Sequence, residues 1–127
     1  MRRRLAVAVV PAAVVLLCAP IWAHAEQPTP DDATVEVRIG DNFYKPKRMT
    51  IPAGTTVVWR NRGGNDHNVL PDRGKRFGSD ELERDATYSY RFDKPGRYGY
   101  YCSLHGAPGN GQFGTVKVVK ARRGSTT

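Results

Sequence analysis

The sequence predicts an all-β fold, a small two-layer sandwich of antiparallel strands, on three observations. Short runs of alternating apolar and polar residues recur at least six times, and Gly, Pro, Asn and Asp punctuate the gaps between them. The one stretch with helical character, Ser79–Arg84, is too short to stand as a helix by itself. At 127 residues the chain is sized for one domain with one core.

Residues 1–25 read as a secretory signal peptide. Three arginines follow Met1, Leu5 to Trp22 is almost wholly apolar, and Ala23-His24-Ala25 places small residues at a cleavage site before Glu26. A retained anchor would need an unbroken apolar run of about 20 residues, whereas Pro11 and Pro20 interrupt this one. Lipid attachment at Cys18 is disfavoured by Leu17 before it. The expected product is exported, periplasmic or extracellular, with no membrane span left after processing.

Residues 26–33, with Pro28 and Pro30, read as a flexible leader. The domain then spans residues 34–120. Thr34–Ile39 alternates with Val35, Val37 and Ile39 on one face. Arg48–Ile51 and Thr55–Arg60 flank the turn Pro52-Ala53-Gly54, and Thr87–Phe92 lines up Tyr88, Tyr90 and Phe92. Lys94-Pro95-Gly96 turns the chain into Arg97–Cys102, and Phe113–Lys120 is the last strand, with Val116 and Val118 together. Residues 121–127 read as a frayed polar tail.

Charge excludes one class of function. Losing the three signal arginines lowers the net charge from +8 to +5, and the remaining Lys and Arg are scattered. A nucleic-acid reader clusters them on a recognisable motif; a protein partner with an acidic surface is the better expectation.

Cysteine and histidine are more telling. With Cys18 and His24 removed, the mature chain holds Cys102, His67 and His105 and no other residue of either type. A lone cysteine in an exported protein has no internal disulfide partner, and oxidising compartments punish free thiols. Strand parity turns Cys102 inward with Tyr98 and Tyr100, and His105 follows in a loop rich in glycine (Gly106, Gly109, Gly111). One thiolate and two imidazoles are the trigonal set for a redox-active copper ion, soft enough for Cu(I) and suited to Cu(II). Zinc prefers four nitrogen or sulfur ligands. A Cys–His hydrolase needs a nucleophile beside a base and an oxyanion hole, for which this two-residue spacer is poor geometry.

Several segments together carry a family resemblance. They are Phe43-Tyr44-Lys45-Pro46, Ile51-Pro52-Ala53-Gly54-Thr55, Val58-Trp59-Arg60-Asn61, His67-Asn68-Val69, Lys94-Pro95-Gly96, and Tyr98 to His105 with its Cys-x-x-His ending. The stretch from Phe43 to Val119 resembles the plastocyanin/amicyanin-type cupredoxins, small blue copper proteins. The resemblance implies a Greek-key sandwich with copper at one end and electron transfer as the activity. It matches His67, Cys102 and His105 to the three strong ligands, and Asn68 to an asparagine that ties the ligand loops together. Tyr101 matches an aromatic near a docking surface in plastocyanins.

One position departs from the pattern. The family usually ends its ligand loop with Gly-Met-x-Gly, the Met being a weak axial ligand, whereas this chain has Gly111-Gln112-Phe113-Gly114. Met49 sits in an early strand and reads as core. Gln112 is expected to be the axial ligand, since glutamine serves that role at sites of this kind. A three-coordinate copper, or a backbone oxygen near Asp66, are the alternatives. Because Gln112 reads as a loop end, exchanging it for Met is expected to leave folding nearly unaltered.

The function expected from these observations is single-electron transfer by a monomeric, non-enzymatic mononuclear copper protein to a redox partner with an acidic docking surface. The second reading is an extracytoplasmic copper carrier or buffer.

Overall fold

The computed structural model describes residues 33–122; the expected signal peptide (residues 1–25), nearly all of the expected leader and residues 123–127 lie outside the described residues. Among the described residues every regular element is a strand. These are β1 (Thr34–Gly40), β2 (Phe43–Lys45), β3 (Arg48–Pro52), β4 (Thr55–Asn61), β5 (Leu70–Pro71), β6 (Thr87–Phe92), β7 (Gly96–Ala107) and β8 (Asn110–Val119).

They form two four-stranded sheets, ordered β2-β1-β4-β6 and β3-β8-β7-β5. The all-β sandwich is as the alternation predicts. The sheets are not purely antiparallel, however: β1 runs parallel to β4, and β3 runs parallel to β8. Sequential strands keep crossing between sheets, so β1 meets β4 rather than β3. Parallel neighbours follow from that wiring, and alternation along one strand carries no trace of it.

Period-2 patterning builds the core. In β4 the inward positions Thr55, Val57, Trp59 and Asn61 are all buried. Val37, Ile39 and Phe92 join them from the same sheet, and Ile51, Tyr100, Cys102, Val116 and Val118 face them from the other. Trp59 lies at the centre, with ring centroids 5.4 Å from Tyr100, 5.5 Å from Tyr88, 6.3 Å from Phe92 and 6.4 Å from Phe77.

Two expectations are corrected. Ser79–Arg84 is not helical. Leu82 bridges to His67 with backbone bonds in both directions (3.2 and 2.7 Å), and the Ser79 N–H donates to Val69 O at 2.9 Å. Pairing with a distant segment outcompetes a single helical turn, whose nucleation is unfavourable. Nor is the region around His105 and Gln112 a loop: β7 continues to Ala107 and β8 begins at Asn110, so both residues sit in strands joined by a tight hairpin.

Candidate metal centre

In a regular strand Cys102 and His105, three residues apart, would face opposite sides. Here the β7–β8 register jumps from Tyr101↔Phe113 to Gly106↔Gly111, so β7 bulges through this stretch. A bulge bends its strand and re-aims side chains, and this one turns His105 back toward the cysteine. Gly111 closes the hairpin with φ of +67°, and a side chain there would press on His105 O.

The result is a cluster at one end of the sandwich. Cys102 Sγ lies 3.8 Å from His67 Nδ1 and 3.6 Å from His105 Nδ1, and the potential ligand atoms of these three residues are all within 4.8 Å of one another. The two imidazole centroids are 4.6 Å apart. His67 and Cys102 are wholly buried, whereas His105 is part-exposed. Water therefore has access from the His105 side.

Gln112 belongs to the same cluster. It is fully buried, and its Nε2 donates to Gly40 O (2.8 Å) and Phe43 O (3.1 Å). Those two acceptors fix the amide's orientation, since a flipped amide would set its oxygen against two carbonyls. Oε1 consequently faces His67 Nδ1 at 3.0 Å.

The donor set has a chemical consequence. His67 Nε2 lies 3.2 Å from Asp41 Oδ1, so the ring is held between two oxygen acceptors. A neutral imidazole carries one N–H and can satisfy one of them. A cation shared by Nδ1, Oε1 and the cysteine sulfur resolves the conflict, and the residues present fit a soft, one-thiolate metal site.

Asn68 follows His67 and reaches across to β7. Its Nδ2 donates to Ser103 Oγ, and its Oδ1 accepts from the Ser103 N–H, both at 2.9 Å. This two-point tether joins the segments carrying His67 and Cys102. Tyr44 adds a third tie by donating from Oη to Asn68 O at 2.6 Å. Burial above all, then the charge of Cys102, pushes the Tyr44 pKa up, so the phenol stays a donor.

Two contributors escaped the sequence reading. Asp41 stands in Gly40-Asp41-Asn42, which reads as an ordinary turn, and nothing in its spacing links it to His67. Ser103 has no signal beyond adjacency to Cys102. Met49 packs against the core in β3, as expected. Tyr101 is half-buried on the face opposite Cys102.

The chain is similar to known proteins in sequence and fold. The family model for copper binding proteins of the plastocyanin/azurin family matches residues 32–119. Plastocyanin of Scenedesmus fuscus is 33% identical over 105 residues, covering 68% of this chain and 99% of that protein. A purple cupredoxin from Nitrosopumilus maritimus superposes with a TM-score of 0.60 at 30% identity, over 67% of this chain and 99% of that one. A methionine-to-glutamine variant of amicyanin, solved as its Cu(I) form, superposes with a TM-score of 0.60 at 28% identity, over 68% and 83% of the two chains.

Proposed function

The chain belongs to the plastocyanin/azurin family of copper binding proteins, and from that premise we propose that it is an exported type 1 copper protein that carries single electrons between redox partners. One observation carries the reading: the mature chain's only cysteine and both its histidines meet at one end of the sandwich, with the Gln112 oxygen turned toward them. His67, Cys102 and His105 would hold copper, and the Gln112 oxygen would be a weaker fourth donor. Copper held there supplies a one-electron Cu(I)/Cu(II) couple.

The surrounding residues suit that task. Buried His67 and Cys102 resist exchange, which favours electron carriage over hand-on of metal. With Gln112 as the fourth donor, no position is left for a substrate, so an enzyme is not proposed. Part-exposed His105 presents its edge beside exposed Leu104, Ala107 and Pro108, an apolar rim suited to docking a redox partner.

The test is the spectrum of the purified protein loaded with copper. One ion per chain, intense colour from sulfur-to-copper charge transfer and an EPR signal unlike ordinary tetragonal Cu(II) are expected. Cys102→Ala should abolish the colour. A colourless wild-type complex would mean that the sulfur does not bind, and the reading would fail.

A second expectation concerns docking. Arg73 lines a surface groove along β7 that reaches from Arg97 and Tyr98 to Gly109 in the β7–β8 turn. Arg76 instead borders Asp93 and Lys94, at the β6–β7 turn at the other end of β7 from Cys102. Transfer to an acidic partner should slow as salt rises, because charge attraction decays over about 10 Å at 0.1 M. Arg73→Glu should slow it several-fold at low salt and Arg76→Glu much less, as measured by stopped-flow. Rates flat across salt, or equal effects of the two variants, would remove the electrostatic part of the proposal.

A further inference from the structure

We propose that Asp41 is a positioning residue for the metal centre: its carboxylate keeps the proton of His67 on Nε2 and so leaves the Nδ1 lone pair turned toward Cys102. The inference rests on the copper reading above and adds a residue that the ligand set does not contain.

The geometry is specific. Asp41 Oδ1 accepts from the backbone N–H groups of Gly64 (2.8 Å) and Asn65 (3.0 Å), and the same oxygen lies 3.2 Å from His67 Nε2. The two amides fix the carboxylate at the end of β1, while backbone pairing with Leu82 fixes His67. Gly63 makes room between them, because a Cβ there would collide with Asp41 Oδ1 and approach His67 Nε2 to 3.0 Å. A carboxylate is thus brought to one nitrogen of a wholly buried imidazole whose other nitrogen faces the cysteine.

Two acceptors compete for the one proton of the neutral ring. Gln112 Oε1, at 3.0 Å from Nδ1, would hold the proton on the nitrogen that a metal needs. Asp41 draws it to Nε2, and an ionised carboxylate is the stronger acceptor by roughly a factor of two. Carboxylates behind metal-bound imidazoles fix the tautomer and raise ligand basicity. The negative charge behind the ring also favours the more highly charged oxidation state, Cu(II).

The experiment compares the wild type with Asp41→Asn and Asp41→Ala. In the metal-free proteins at alkaline pH, where imidazoles are neutral, nitrogen-15 NMR reads the His67 tautomer. The wild type and Asp41→Asn, which both retain an oxygen acceptor, should show Nε2–H, and Asp41→Ala should switch to Nδ1–H. On copper loading, Asp41→Ala should bind about 10–100-fold more weakly. Asp41→Asn should raise the Cu(I):Cu(II) affinity ratio about tenfold, which is about 59 mV for a one-electron couple. An unchanged tautomer in Asp41→Ala, or a wild-type potential in Asp41→Asn, overturns the proposal. If Asp41→Ala does not fold, the potential of Asp41→Asn decides. The tautomer is read without metal, so failure of the copper reading, seen as a colourless complex, is distinguishable from failure of this one.

Discussion

Truncating Trp59 to alanine is expected to remove about 3–5 kcal/mol of folding free energy, the range for large-to-small changes at a buried aromatic. The side chain is wholly buried in β4, and its ring contacts join both sheets through Tyr100 and reach the segment between β5 and β6 through Phe77. Domains of this size are stable by only about 5–15 kcal/mol, so the variant sits near the edge of folding. With urea slopes of about 1–3 kcal/mol/M, the midpoint of the metal-free protein should fall by more than about 1 M. Trp59→Phe should cost less, because it keeps an aromatic ring at the centre of the core. A midpoint unmoved by Trp59→Ala would show that the two sheets are held together elsewhere.

The contrast between the alternating strands and Asp41 shows what a sequence exposes. Burial repeats every second residue, so Val35, Val37 and Ile39 in β1 and Tyr88, Tyr90 and Phe92 in β6 declared their faces in advance. The candidate metal ligands were legible for a different reason: scarcity. Past the expected signal peptide the sequence has one cysteine and two histidines, which offer few combinations, and strand parity turned the cysteine inward. Pairing between distant segments has no such local signature. The parallel β1–β4 ladder, the Leu82–His67 bridge that displaces a helical turn, and the Asp41–His67 contact all depend on which strands cross between sheets. The bulge that aims His105 is likewise a property of two strands in register rather than of one.

Gln112→Met should raise the reduction potential, and here the structure also changes what is expected of stability. An amide oxygen is a harder donor than a thioether and favours Cu(II) over Cu(I). A methionine sulfur offered in place of the Gln112 oxygen would therefore favour the reduced state, by about 1–4 kcal/mol of redox free energy for the loss of one charge–dipole contact. From sequence alone the exchange reads as neutral for folding. Gln112 is instead a fully buried residue of β8 that ties β8 to the β1–β2 turn by donating to Gly40 O and Phe43 O. Methionine removes both donations, and leaving a buried acceptor unmet costs about 1–3 kcal/mol. The metal-free variant should unfold earlier in urea while the loaded variant shows a raised potential by voltammetry, with EPR confirming an intact copper site. Equal potentials in the two proteins would place the Gln112 oxygen out of reach of the metal, and its two hydrogen bonds would then be its whole role.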